Sequence, residues 1–71
     1  MKILTQDKKK FVDIPKELWV TDLPEYSLIV GKCYIEPCLG IYKTADRAAE
    51  VFKEMINNYN NGAVTYCMPA E

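Results

Sequence analysis

The run "YKTADRAAEVFKEMINNYNNG", residues 42–62, is the one stretch that reads as a helix, and it decides the class of fold available. Ala48, Val51, Phe52, Met55, Ile56 and Tyr59 recur at spacings of three and four, which places them on one apolar stripe. Asp46, Glu50, Lys53 and Asn57 fall on the opposite side. Thr44 is suited to cap the start, because its hydroxyl can accept from a free amide one turn in. Asn60-Asn61-Gly62 supplies the left-handed termination that helices commonly use. A single helix with a single stripe needs one surface to bury against. In a chain of 71 residues that surface has to be a sheet.

The rest of the sequence supplies strands. Ile3-Leu4-Thr5 and Lys10 to Ile14 read as a hairpin around Gln6-Asp7-Lys8, closed by Pro15. Leu18 to Thr21 is a third strand, ended by Asp22 and Pro24. Ser27 to Ile35 is the longest apolar run and reads as a central strand. Gly31 interrupts it, as a bulge or a close backbone approach would require. Glu36-Pro37 turns the chain into a returning strand, Cys38 to Lys43, and Ala63 to Cys67 forms a last strand before Pro69. The expected fold is therefore a single small α+β domain over residues 1–71. It has an antiparallel β-meander of four to five strands, the helix on one face and a short C-terminal strand. The other sheet face also needs cover if it is apolar. Trp19, Tyr34 and Tyr66 could line it, and a second copy of the chain could cover it.

Composition excludes several functions. A domain this small has a thin margin over conformational entropy, and its 49% apolar content makes partial burial in a homo-oligomer an expectation. A net charge of −1 argues against duplex DNA binding, which needs a dominant basic face. Lys8-Lys9-Lys10 reads as a solvated turn. No segment has the length of a membrane span or the pattern of a signal peptide, so a cytoplasmic location is expected. Three cysteines cannot close a disulfide framework. Cys33 and Cys38 could face each other across a hairpin, but small buried thiols are the simpler expectation. The chain has no histidine, so Ser-His-Asp and Cys-His catalysis are ruled out and a zinc site is disfavoured. Gly31, Gly40 and Gly62 are too scattered to cradle a phosphate. A non-enzymatic role without metal or cofactor is the expectation.

One local feature points towards a ligand. The first turn of a helix carries partial positive charge and favours acids, yet Lys43 precedes the cap and Arg47 lies one turn in. A bound anion would resolve this: backbone amides, the lysine and a forked guanidinium could converge on one phosphate or carboxylate. Alternatively, Arg47 pairs with Glu50 or Asp46, because an exposed misplaced charge costs only about 0.3–1 kcal/mol.

The opening "MKILTQD", the block "LGIYKTADRAAEVFKEM" and the closing "YCMP" resemble small proteins of bacteriophages, prophages and Gram-positive bacteria. Their pattern runs M-[KR]-I-x-[ST]-Q-[DN], then L-G-x-Y-x-[ST]-x-x-[RK]-A-x-E-V, then Y-x-M-P. Leu39, Gly40, Tyr42, Thr44, Arg47, Ala48, Glu50 and Val51 match, whereas Lys8 stands where a glycine is usual. Small oligomeric phage proteins of this kind include anti-defence factors, some of which sequester nucleotide second messengers. The resemblance thus implies a host-cytoplasmic sponge for a small phosphorylated nucleotide. Arg47, Lys43 and Thr44 would hold phosphate, and Tyr42, Tyr34 or Trp19 would stack on a base. The alternatives are a module that docks through a sheet edge or apolar face onto a host protein and inhibits it, and a single-stranded nucleic-acid binder.

Overall fold

The computed structural model describes residues 1–32 and 37–71. Tyr34, the end of the strand expected to run to Ile35 and the facing of Cys33 with Cys38 lie outside the described residues. The remainder is the expected α+β arrangement. Strands β1 (Lys2–Leu4), β2 (Phe11–Asp13), β3 (Leu18–Asp22), β4 (Ser27–Gly31) and β5 (Cys38–Tyr42) precede helix α1 (Ala45–Asn60), and β6 (Thr65–Cys67) follows it.

The strands divide between two sheets. β3, β4 and β5 form an antiparallel meander, whereas β1 lies between antiparallel β2 and parallel β6. A continuous meander would need β2 to pass directly beside β3. Pro15 stands between them and cannot donate to a ladder. Its ring instead crosses over Gly31, where an added Cβ would lie 2.4 Å from Pro15 Cγ. The close approach expected at Gly31 is therefore present. The bulge lies elsewhere: Ile29 pairs with Gly40 and Val30 with Cys38, leaving Leu39 as the extra residue.

The first hairpin turns at Lys8, whose φ of 62° is left-handed, so a lysine holds a conformation that glycine adopts more cheaply. Asp7 steadies this turn by accepting from the Thr5 hydroxyl at 2.7 Å and the Lys9 amide at 3.0 Å. Those two bonds, the Thr5 bond foremost, hold its carboxyl below the usual range.

Helix α1 begins and ends as its sequence directs. Thr44 is extended, and its hydroxyl accepts from the Arg47 amide at 3.1 Å. At the other end Gly62 takes φ +80°, and the Ala63 amide reaches back to the Asn58 carbonyl at 3.0 Å. Ala48, Val51 and Met55 are buried, while Tyr59 at the end of the stripe is half exposed. They join Ile29, Leu39 and Tyr42 from the meander and Ile3, Val12 and Tyr66 from the other sheet in one core. Tyr66 thus points inward. Its hydroxyl donates to Glu54 at 2.8 Å, and burial together with that carboxylate raises its pKa.

Candidate functional site

Two surfaces merit comparison: the helix entrance and the side of the meander turned away from the helix. At the entrance, the sequence leaves open whether Arg47 awaits an anion or pairs within the chain. The guanidinium is already engaged. Arg47 Nη1 contacts Glu50 at 2.7 Å, and Nε donates to the main-chain oxygen of Glu71 at 2.8 Å. The Thr44 hydroxyl is occupied by the cap. Tyr42 is 1% exposed, its ring lies over Gly40, and its hydroxyl donates to the Pro69 carbonyl at 2.8 Å. Burial pushes its pKa up to about 12, although the nearby Arg47 charge works the other way. A ring held this way has no open face for a base. Lys43 is exposed beside these groups.

What converges at the entrance is the C-terminal segment. The Met68 amide donates to the Leu4 carbonyl at 3.0 Å, continuing the β1–β6 ladder. Successive carbonyls of Pro69, Ala70 and Glu71 then accept from Tyr42, Gln6 and Arg47. Gln6 also acts as a surrogate strand. Its Oε1 accepts from the Ile41 amide at 2.7 Å, its Nε2 donates to the Ile41 carbonyl at 2.8 Å, and its own amide donates to Leu39. The outer edge of β5 is thereby closed. Gln6 had no local pattern to identify it, because its partners are remote in sequence.

Trp19 belongs to the other surface. Strand alternation turns Leu18, Val20, Ser27, Ile29, Gly40 and Tyr42 towards the helix. The opposite face presents Trp19 beside Val30, Thr21 beside Leu28, and Leu28 beside Ile41. One step further, the Leu23 amide bonds the Tyr26 carbonyl at 2.8 Å, so this pair extends the same face. The structure therefore separates Trp19 from Arg47, Thr44 and Tyr42 by the thickness of the sheet, whereas Lys43, one residue past Tyr42, continues the outward alternation of Ile41.

Within the paired strands β3, β4 and β5, this outer face carries no charged side chain among the described residues. Trp19 is 44% exposed, Ile41 51%, and Leu23 and Tyr26 40% each, with Leu28 and Val30 partly exposed. With large side chains offering roughly 150–250 Å² each, about 400 Å² of contiguous apolar surface faces outward. Beside Trp19 the face opens into a hollow of about 600 Å³ lined by Lys16, Glu17, Val30, Gly31, Lys32 and Pro37. Most antiparallel sheets with one face on the core are polar on the other. A trace of this departure is legible in Ser27–Gly31, where apolar residues occupy both parities, but the sequence does not say which parity the helix covers.

Among the described residues no cluster of cysteine, aspartate and glutamate could hold a metal ion, and no helix is long and apolar enough to cross a membrane. The chain matches no family model, no curated protein and no solved structure.

Proposed function

We propose that this protein is a non-catalytic docking module whose working surface is the outer face of the β3–β4–β5 meander. The observation that carries this reading is the array of Trp19, Leu23, Tyr26, Leu28, Val30 and Ile41, with Thr21 as the polar residue among them, left uncovered by the described parts of the fold. Contiguous apolar patches of this size on single chains commonly serve binding. Aromatic residues are the usual anchors of such interfaces, and a hollow beside Trp19 offers room for a side chain from a partner.

The nucleotide-sequestering alternative draws less support from the same geometry. A phosphate at the helix entrance would have to displace Glu50 and the Glu71 oxygen from Arg47, and Tyr42 would have to leave the core to stack. The misplaced cation that suggested a bound anion has found its anion inside the chain.

Site-specific photo-crosslinking tests the docking reading. Benzoylphenylalanine in place of Ile41, in protein expressed in bacterial cells, should give a discrete covalent adduct to protein. The same group in place of Lys53, on the exposed side of the helix, should give none. Equal labelling at both positions, or no adduct at position 41, would refute the assignment.

A further inference from the structure

The two edges of the β3–β4–β5 sheet are finished differently. In the β3–β4 ladder the Lys32 amide donates to the Glu17 carbonyl at 3.0 Å, and the Leu23 amide donates to the Tyr26 carbonyl at 2.8 Å. Alternation between those bonds turns the main-chain groups of Trp19 and Thr21 towards β4, and those of Leu18, Val20 and Asp22 away from it. At the far edge, the main-chain groups of Leu39 and Ile41 that point out from β5 are answered by Gln6. At the β3 edge, the outward groups of Leu18, Val20 and Asp22 have no partner among the described residues. Nor is this edge guarded. β3 is five residues long and carries no proline, lysine or bulge, and its one charged residue, Asp22, stands at its end.

A groove accompanies the open edge on the helix side. Over β4 and β5 the core is closed: Ile29 is 0% exposed and Tyr42 1%. Leu18 and Val20 face the same side yet remain partly exposed. Beside Leu18 a hollow of about 430 Å³ is lined by Phe52, Ile56 and Tyr59 of α1, with Pro15 and Lys16 where the chain enters the strand. Phe52, Ile56 and Tyr59 recur at spacings of four and three, and each retains exposed surface. The apolar stripe of the helix is therefore wider than the sheet beneath it.

We propose that the β3 edge and this groove form a second binding site, which takes an extended peptide segment of a partner protein as a fourth strand. The main chain selects that chemistry, because a row of alternating donors and acceptors is matched in proteins by extended backbone. Side chains on the added strand alternate. One set falls in the groove against Leu18, Phe52 and Ile56, and the other lies beside Trp19 and Thr21. The segment is therefore apolar at alternate positions. Lys16 is exposed and has no ion pair or hydrogen bond among the described residues, so it favours an acidic residue where the segment passes the entry to β3. The site lies at the margin of the outer face and does not depend on it.

Linear peptides of about twelve residues, selected from a random phage-displayed library on the intact chain, should bind with Kd of about 10–100 µM and share alternating apolar positions. In the unbound chain the Leu18, Val20 and Asp22 amides should exchange hydrogen rapidly while those of Trp19 and Thr21 are protected, and saturating peptide should slow the first set at least about tenfold. Val20→Pro removes an outward N–H and spares the bonds to β4, so it should weaken binding at least about tenfold. The exchange measurement uses the unaltered chain, so it decides the matter even where Val20→Pro fails to fold. Ile41→Glu, on the outer face, should leave Kd within about twofold. A selection that yields no binder, or binders that leave Leu18 and Val20 in fast exchange, would overturn the site. Binders of the latter kind that are lost with Ile41→Glu would keep the docking reading. Protection by peptide with no crosslinked adduct at position 41 would keep this site and remove that reading. Edge amides protected in the free chain at about 100 µM and released on dilution would make the occupant the edge of a second copy, and overturn the peptide.

Discussion

Replacing Gly40 by alanine is the sharpest test of how the core meets the C-terminal segment. Gly40 lies on β5 under the ring of Tyr42, and an added Cβ would be 2.9 Å from Tyr42 Cε2, 3.0 Å from its hydroxyl and 3.2 Å from Met68 Cε. Carbon atoms pack at about 3.5–4.0 Å, so the ring must retreat by roughly 0.5–1 Å. A retreat of that size stretches the 2.8 Å bond from the Tyr42 hydroxyl to the Pro69 carbonyl beyond useful range. Overpacking costs about 1–3 kcal/mol, and losing a partly buried hydrogen bond adds about 1. The expected loss is therefore about 2–4 kcal/mol. A domain of this length has only about 4–10 kcal/mol in all. Urea denaturation followed by circular dichroism measures the loss, and the thermal midpoint should fall by about 10–25 °C. A double-mutant cycle isolates the cause. With Tyr42→Phe already in place the hydroxyl bond is gone, so Gly40→Ala should cost about 1 kcal/mol less than in the unaltered chain. A neutral Gly40→Ala, or strict additivity in the cycle, would refute the packing argument.

Gln6 and the buried tyrosines give two further predictions. Gln6→Glu keeps the acceptor for the Ile41 amide but loses both bonds donated by Nε2 and turns a carboxylate towards the Ile41 and Ala70 carbonyls. It should destabilise more than Gln6→Ala, by about 1 kcal/mol at neutral pH, and lose that excess below the carboxylate pKa; equal melts for the two variants would contradict the surrogate-strand role. Alkaline stability should respond to Tyr42, whose pKa of about 12 exceeds the ordinary value of 10. Below pH 10 both states hold the proton and the contribution is complete. Above it the unfolded chain ionises first, so stability falls by about 1.4 kcal/mol per pH unit until the folded group titrates. Tyr66 is raised in the same sense, so Tyr42→Phe should remove roughly half of the tyrosine slope in urea midpoints taken between pH 9.5 and 11.5. An unchanged slope would mean that the Tyr42 hydroxyl is not held as described.

What was legible in the sequence was local. The apolar stripe from Ala48 to Met55, the Thr44 cap and the Gly62 termination each depend on residues within one or two turns, and each is found where the pattern put it. Strand existence followed from the same short-range periodicity, and Gly31 advertised a bulge or a close approach, of which the fold has the second, because Pro15 leaves no room for a side chain there. Pairing was a different matter. β1 takes β6 as a parallel neighbour across nearly the whole chain, and Gln6 bonds a carbonyl 64 residues away. Alternation says that two faces exist but not which one the helix covers, so the exposure of Trp19, Ile41, Leu23 and Tyr26 emerged only with tertiary packing. The helix entrance illustrates the same division. The sequence determined that Arg47 sits where backbone dipoles disfavour a cation, because that depends on one turn of helix. Only the folded chain decided that Glu50 and the Glu71 oxygen would answer that charge, because the path bringing residue 71 to residue 47 is set by closure of the whole domain.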